Sequence, residues 1–436
     1  MEKIIKPIFK IAGDVSVPGD KSISHRALMF GSICNGEVSI ANLSIAEDCQ
    51  STLNCLRALG VQIKNRSHDT LMIKGKGLFG FEEPTHLLDA GNSGTTIRLL
   101  SGLLAGQSFY SVITGDTSLR SRPMKRIIDP LRLMGASIFG RCGDTKPPLT
   151  IIGKTLKPIE YTLPVPSAQV KSAILMAGLY TDGKTTVIEN AGSRDHTERL
   201  MAYLGAKIEN GSGAITIARG ELAAKDIHIP GDISSAIYFI VAAILSRNSR
   251  LHVIDVGLNP TRMGAIDILQ EMGADITITE KGLRCGELYG DIRACSSELH
   301  GINIAPRMIP SLIDEVPILS LCATQASGTT SIEGAGELRF KESDRLKSAA
   351  NGLNRLGADL TETKDGLIVK GPTPLSGSRV NSNLDHRLAM TFAIAGLIAR
   401  NETIIENPEC IAISFPNFFE KLQSLIGDTD GAISNA

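Results

Sequence analysis

Leu56-Arg-Ala-Leu-Gly60-Val-Gln-Ile63 is the end of a helix, a glycine stop and the start of an alternating strand. The chain repeats it about every seventy residues, the signature of a repeat architecture. Further copies are Leu131-Arg-Leu-Met-Gly135-Ala-Ser-Ile138, Met201-Ala-Tyr-Leu-Gly205-Ala-Lys-Ile208, Leu269-Gln-Glu-Met-Gly273-Ala-Asp-Ile276 and Leu353-Asn-Arg-Leu-Gly357-Ala-Asp-Leu360. A decayed sixth ends at Leu425-Ile-Gly427. Glycine suits the residue just past a helix because that position favours positive φ, which glycine adopts at little cost.

Upstream of each stop lies a second recurring element, a small-residue-rich apolar helix ending at Gly or Asn. The spans are 22–36, 93–106, 167–183, 234–248, 314–328 and 385–401. Segments such as Ala389-Met-Thr-Phe-Ala-Ile-Ala-Gly396 are apolar nearly all round, so these helices are expected to be buried. Short strands follow at 37–40, 185–188, 251–254, 329–332 and 403–405. The unit therefore reads helix, strand, helix, strand, strand, six times over. Ile229-Pro-Gly-Asp232 echoes Val17-Pro-Gly-Asp20, which suggests that the chain crosses between two lobes at those points. The expected lobes are 18–229, with three units, and 1–17 plus 230–436, with the other three. The first strand, 9–17, would complete the C-terminal lobe. Each half is expected to be an α/β domain with buried helices.

Composition narrows the function. The 436 residues carry a net charge of −1, aromatics are 4% and Trp is absent. That gives no global basic field and no base-stacking platform, so neither nucleic acid nor an anionic membrane is an expected partner. The longest apolar runs are far shorter than the ~20 residues that cross a bilayer. Met1 to Ala12 mixes proline and lysines with short apolar stretches and does not read as a signal peptide. Eight cysteines contain no Cys-x-x-Cys pair, and read as free thiols of a reducing cytoplasm. No metal-ligand spacing, P-loop or Gly-x-Ser-x-Gly elbow occurs.

Chemistry gathers where the buried helices begin: Gly19-Asp-Lys-Ser-Ile-Ser-His-Arg26, Gly91-Asn-Ser-Gly-Thr-Thr-Ile-Arg98, Pro166-Ser-Ala-Gln-Val-Lys171, Gly231-Asp-Ile-Ser-Ser235, Ile313-Asp-Glu-Val-Pro317 and Leu384-Asp-His-Arg387. Ser, Asp and Asn there are ordinary N-caps. The cations Lys21, Arg26, Arg98 and Arg387 are not so explained, because a positive side chain in a first turn opposes the helix dipole. An anion bound at the helix start would account for them, and Gly94 would let the backbone approach it. The loops Arg120-Ser-Arg122-Pro123, Ser193-Arg-Asp-His-Thr-Glu198, Asn259-Pro-Thr-Arg262 and Glu337-Leu-Arg-Phe-Lys-Glu-Ser-Asp-Arg345 add cations suited to phosphate and carboxylate. Asp314 and Glu342 are carboxylates among those cations, as general acid–base work requires. His196, beside Arg194 and Asp195, reads as a structural residue rather than a ligand.

These motifs resemble the 5-enolpyruvylshikimate-3-phosphate synthase family over 18–416, and Ser-Ala-Gln at 167–169, 194–198 and 259–262 resemble its bacterial second class. The resemblance implies two inverse α/β barrel-like domains of three repeats each, closing over the substrates. It implies transfer of the enolpyruvyl group of phosphoenolpyruvate to shikimate 3-phosphate, with release of phosphate and no metal or organic cofactor. It also implies a cytoplasmic monomer, inhibited by glyphosate. Matched by motif, Lys21, Ser22, Arg26, Ser167, Ala168, Gln169, Arg194, Asp314 and Lys341 would hold shikimate 3-phosphate. Lys21, Gly94, Arg122, Gln169, Arg345 and Arg387 would hold phosphoenolpyruvate. Asp314 would take the proton of the attacking hydroxyl and Glu342 would protonate the methylene carbon, with Lys21 between the two substrates. Where many members carry a lysine in the last unit, this chain has Ile413.

Three other readings compete. A UDP-N-acetylglucosamine enolpyruvyl transferase would have a loop cysteine near Thr117 and Asn in place of Ser22. An RNA 3′-phosphate cyclase is disfavoured by the neutral charge. A non-catalytic repeat scaffold would not need Asp314, Glu342 and several arginines at equivalent edges.

Overall fold

The structure is a computed structural model that describes residues 2–8, 10–67, 69–211, 213–426 and 432–435. Phe9 and Gly427, which bear on the expected first strand and the sixth glycine stop, lie outside the described residues. The chain divides into two compact units: Gly19–Pro230 with Leu283–Glu287, and Met1–Pro18 with Gly231–Gly282 and Leu288–Ala436. Each has its own hydrophobic core.

Among the described residues, six four-stranded sheets follow one plan. In the first, Asn35–Ala41 pairs antiparallel with Thr70–Lys76, which pairs antiparallel with Gln62–Asn65. Ile227–His228 adds a short parallel edge. Gly75 and Lys76 close the second of these strands. In the C-terminal unit the N-terminal segment serves two sheets. Ala12–Ser16 pairs parallel with Arg250–Gly257, and Glu2–Ile5, a strand not expected from the sequence, pairs antiparallel with Thr403–Glu406. Strands such as Leu367–Gly371 alternate buried and exposed residues, as a sheet with one packed face must.

The six apolar helices are Lys21–Ile33, Gly94–Ala105, Ala168–Gly178, Ile233–Leu245, Val316–Gln325 and His386–Ile398, and nearly every residue of each is buried. They end before the Gly or Asn expected to stop them. Gly36, for instance, lies in the strand Asn35–Ala41. The fifth also starts late, because two 3-10 turns and a short helix precede it and Asp314 sits in the turn Ile313–Glu315. The amphipathic helices do stop at the expected glycines: Gly60 has φ +81° and Gly357 has φ +96°. Small residues let buried helices touch. A Cβ on Gly102 would lie 2.3 Å from the Ala173 carbonyl oxygen, so only glycine permits this approach.

Candidate active site

Side-chain oxygens cap five of the apolar helices: Asp20 accepts from Ile23 N, Ser93 from Thr96 N, Ser167 from Val170 N, Asp232 from Ser234 N and Asp385 from Arg387 N. None of these five has an acidic residue in its first turn. Their positive ends are therefore left for the cations and whatever those cations hold.

In the N-terminal unit, Lys21 Nζ pairs with Asp48 Oδ2 at 2.9 Å. Asp48 lies in the first turn of Glu47–Ala58, a helix start where an acid is ordinary. Arg26 is buried on the same helix as Lys21. Its Nε donates to Thr197 Oγ1 at 2.6 Å, Nη2 to Ser172 Oγ at 2.8 Å and Nη1 to the Ser22 carbonyl at 2.9 Å. Burial lowers its pKa to about 10 against the opposing Glu198 carboxylate. Thr197 follows His196, whose Nδ1 is 2.7 Å from Glu287 Oε1 in a buried pair. Arg194, close enough to add to the field on Arg26, is half-buried.

The helix Ala168–Gly178 starts with Ser167, Ala168 and Gln169, all half-buried. Gln169 is held from both ends: Arg98 Nη1 donates to its Oε1 at 2.8 Å, and its Nε2 donates to Thr95 Oγ1 at 3.0 Å. Gly94 begins the helix that carries Arg98. A Cβ there would lie 2.6 Å from Arg98 Nη1 and 3.4 Å from Arg122 Nη1, so this helix start and Arg122 are neighbours. Arg122 donates to Asn92 Oδ1 at 2.6 Å and to Ser118 Oγ at 3.1 Å, and Asn92 is itself fixed by Asp116. Deeper on the Gln169 helix, Lys171 Nζ meets Glu189 at 3.1 Å and Glu198 at 2.6 Å, all essentially buried. Burial pushes the Glu198 carboxyl up while Lys171 opposes it.

In the C-terminal unit, Arg345 is the hub. Its Nη1 lies 3.2 Å from Asp314 Oδ1, its Nη2 lies 2.6 Å from Glu342 Oε2 and its Nε donates to Asp385 Oδ2 at 2.8 Å. Burial works against its charge, but Asp385, Glu342 and Asp314 outweigh that and hold it above its ordinary pKa. Lys341 Nζ approaches the same Asp314 oxygen at 3.4 Å. Arg387 Nη1 donates to the Ser234 carbonyl at 3.2 Å and lies 3.5 Å from Glu315 Oε1. Ile413 is half-buried against the core and supplies no charge.

The site residues therefore form local groups: Lys21 with Asp48; Ser22 and Arg26 with Thr197; Gln169 with Arg98; Gly94 with Arg122; and Asp314, Lys341, Glu342 and Arg345 around one guanidinium. Guanidinium and ammonium groups of this kind suit phosphate and carboxylate, and Asp314 and Glu342 are carboxyls within reach of them. Asp48 and Glu315 were not foreseen. Their acids read as routine near a helix start, and only the fold brings them to Lys21 and Arg387. A cavity of about 510 Å³ in the N-terminal unit, bordered by Arg66, Asp226, His228 and Cys285, includes none of the site residues. Among the described residues no group of three or more His, Cys, Asp or Glu could hold a metal ion, and no helix is long and apolar enough to cross a membrane.

Comparison with known proteins adds a family pattern to this geometry. The family model for EPSP synthase (3-phosphoshikimate 1-carboxyvinyltransferase) matches residues 5–422. A 3-phosphoshikimate 1-carboxyvinyltransferase of Geotalea uraniireducens is 49% identical, covering 97% of this chain and 98% of that one. One of Desulforudis audaxviator is 50% identical, again over 97% and 98%. Among solved structures, EPSP synthase from Acinetobacter baumannii is 41% identical with a TM-score of 0.88, and 100% of each chain is covered. The enolpyruvyl transferase NikO from Streptomyces tendae, 18% identical with a TM-score of 0.81, shares the fold.

Proposed function

The chain belongs to the EPSP synthase family, and from that premise we propose that it is the transferase that joins phosphoenolpyruvate to the 5-hydroxyl of shikimate 3-phosphate. Phosphate is released, and the product feeds chorismate and aromatic amino-acid biosynthesis. The observation that carries the reading is the placement of Asp314 and Glu342 on two nitrogens of Arg345. Addition–elimination needs a base for the hydroxyl and an acid for the methylene carbon. Two carboxyls pinned to one buried cation supply both at fixed separation.

In this reading Lys21, Ser22, Arg26, Ser167, Ala168, Gln169, Arg194, Asp314 and Lys341 hold shikimate 3-phosphate. Lys21, Gly94, Arg122, Gln169, Arg345 and Arg387 hold phosphoenolpyruvate. Glu342 delivers a proton to the methylene carbon, which makes the adjacent enol carbon electrophilic. The 5-hydroxyl adds there as Asp314 takes its proton. The tetrahedral intermediate then returns a methyl proton to Glu342 and expels phosphate, which takes up the proton held by Asp314, so that the carbon–carbon double bond re-forms as an enol ether. The cations stabilise the phosphate charge throughout and need no reorganisation, since their partners already fix them. Glyphosate, a small anion, would compete for the phosphoenolpyruvate cations. We place the enzyme in the cytoplasm as a monomer of two lobes, 18–229 and 1–17 with 230–436.

A phosphate-release assay tests this. Release is expected when phosphoenolpyruvate is offered with shikimate 3-phosphate. Release with UDP-N-acetylglucosamine instead would reassign the acceptor.

A further inference from the structure

Glu315 is even more buried than the arginine it serves, with side-chain exposures of 3% for Glu315 and 8% for Arg387. Its Oε1 accepts the Ser234 hydroxyl hydrogen bond and lies 3.5 Å from Arg387 Nη1. The Ser234 oxygen in turn accepts from Arg262 Nη2, which also lies 3.3 Å from Asp232 Oδ1. Glu315 Oε2 is buried with no hydrogen-bond partner among the described residues. A buried carboxylate left half-satisfied is a poor stabiliser, and an apolar side chain would usually fill such a place at lower cost.

What the carboxylate does accomplish is geometric. Arg387 is held at Nη1 by Glu315 and the Ser234 carbonyl. Its Nε is buried with no hydrogen-bond partner among the described residues, and the Tyr238 hydroxyl lies close to the guanidinium. A guanidinium fixed at one nitrogen presents its other donors to a carboxylate or phosphate in a set orientation. Arg387 is also in the first turn of its helix, where the dipole repels it, and a fixed anion on Nη1 offsets that repulsion.

We propose that Glu315, held by Ser234 and Arg262, is a positioning residue for phosphoenolpyruvate: it pins Nη1 of Arg387 and so sets the orientation of the guanidinium toward the donor's anionic group. It also gives the Asn259-Pro-Thr-Arg262 loop a role, as the outer support of that chain. The inference rests on the reading of Arg387 as a phosphoenolpyruvate ligand.

The test is steady-state kinetics and thermal melting of the full-length protein carrying Glu315→Gln, Arg387→Ala or both. Glu315→Gln keeps the shape and removes the charge. Its KM for phosphoenolpyruvate is expected to rise about tenfold, the usual weight of one charge-assisted contact, with the KM for shikimate 3-phosphate unchanged. In the Arg387→Ala background the same change should add nothing. An equal rise in both KM values, or a lowered melting temperature with both KM values intact, overturns the proposal. If Arg387→Ala raises the phosphoenolpyruvate KM and Glu315→Gln does not, this inference fails alone. If Arg387→Ala leaves it unchanged, the underlying reading fails. Should Glu315→Gln not fold, Ser234→Ala carries the test: a two- to fivefold selective rise, on the order of one neutral hydrogen bond, is expected, and no change refutes the idea.

Discussion

Arg345 Nη1 stands 3.2 Å from Asp314 Oδ1 while the neighbouring nitrogen holds Glu342, so one guanidinium fixes both carboxyls. Removing either charge should stop proton transfer without dismantling the site. Asp314→Asn and Glu342→Gln are each expected to cut kcat by about 10²–10⁴-fold. Binding of shikimate 3-phosphate, followed by isothermal titration, should persist in both. Near-normal turnover in either variant would remove that residue from the mechanism.

Gly94 gives a second test. A methyl group there meets the flexible ends of Arg98 and Arg122, not backbone, so Gly94→Ala should fold normally. It would crowd whatever small anion those arginines hold. Glyphosate inhibition is expected to weaken more than phosphoenolpyruvate binding, so the ratio of Ki to KM should rise by at least about tenfold. Parallel losses for the two ligands would contradict this.

His25 supplies a pH dependence. Burial, with Lys21 and Arg26 nearby, pushes the imidazole well below its ordinary 6.5. The unfolded chain therefore takes up a proton as pH falls below that value while the folded chain does not. Stability present above it is lost on acidification, by at most about 1.4 kcal/mol per pH unit from this group. Melting temperatures of wild type and His25→Asn between about pH 7 and about pH 5 check it. The variant's decline should be shallower, and identical slopes would count against the assignment.

Lys171 tests the buried network. Lys171→Met leaves Glu189 and Glu198 facing each other without their cation. Breaking a buried ion pair from one side costs about 3–5 kcal/mol, so denaturant unfolding should show a loss of that size. A loss below about 1 kcal/mol, the worth of a surface pair, would mean that the cluster is solvated or protonated.

The repeat was legible because each copy leaves a local mark: glycine at a helix end needs positive φ, and Gly60 and Gly357 have it. The six four-stranded sheets follow from that period. The ends of the apolar helices were less legible. A helix surrounded by packing stops where the following strand must start, as at Gly36, not where a glycine stands. The short strand Glu2–Ile5 was hidden because its partner, Thr403–Glu406, lies at the far end of the chain. The cations of the site stood out because they break the dipole rule. Their counter-charges did not: Asp48 is 27 residues from Lys21, and Glu315 is 72 from Arg387, pairings that only tertiary structure decides.

Asp385 closes the first turn of one helix with Oδ1 and clamps Arg345 with Oδ2. In the proposed reading of Arg345, folding and turnover thus meet in a single side chain. A library screened for heat endurance and another screened for growth without aromatic supplements should both keep this aspartate, for unrelated reasons. Engineering that trades robustness against rate will find no room to manoeuvre at that position.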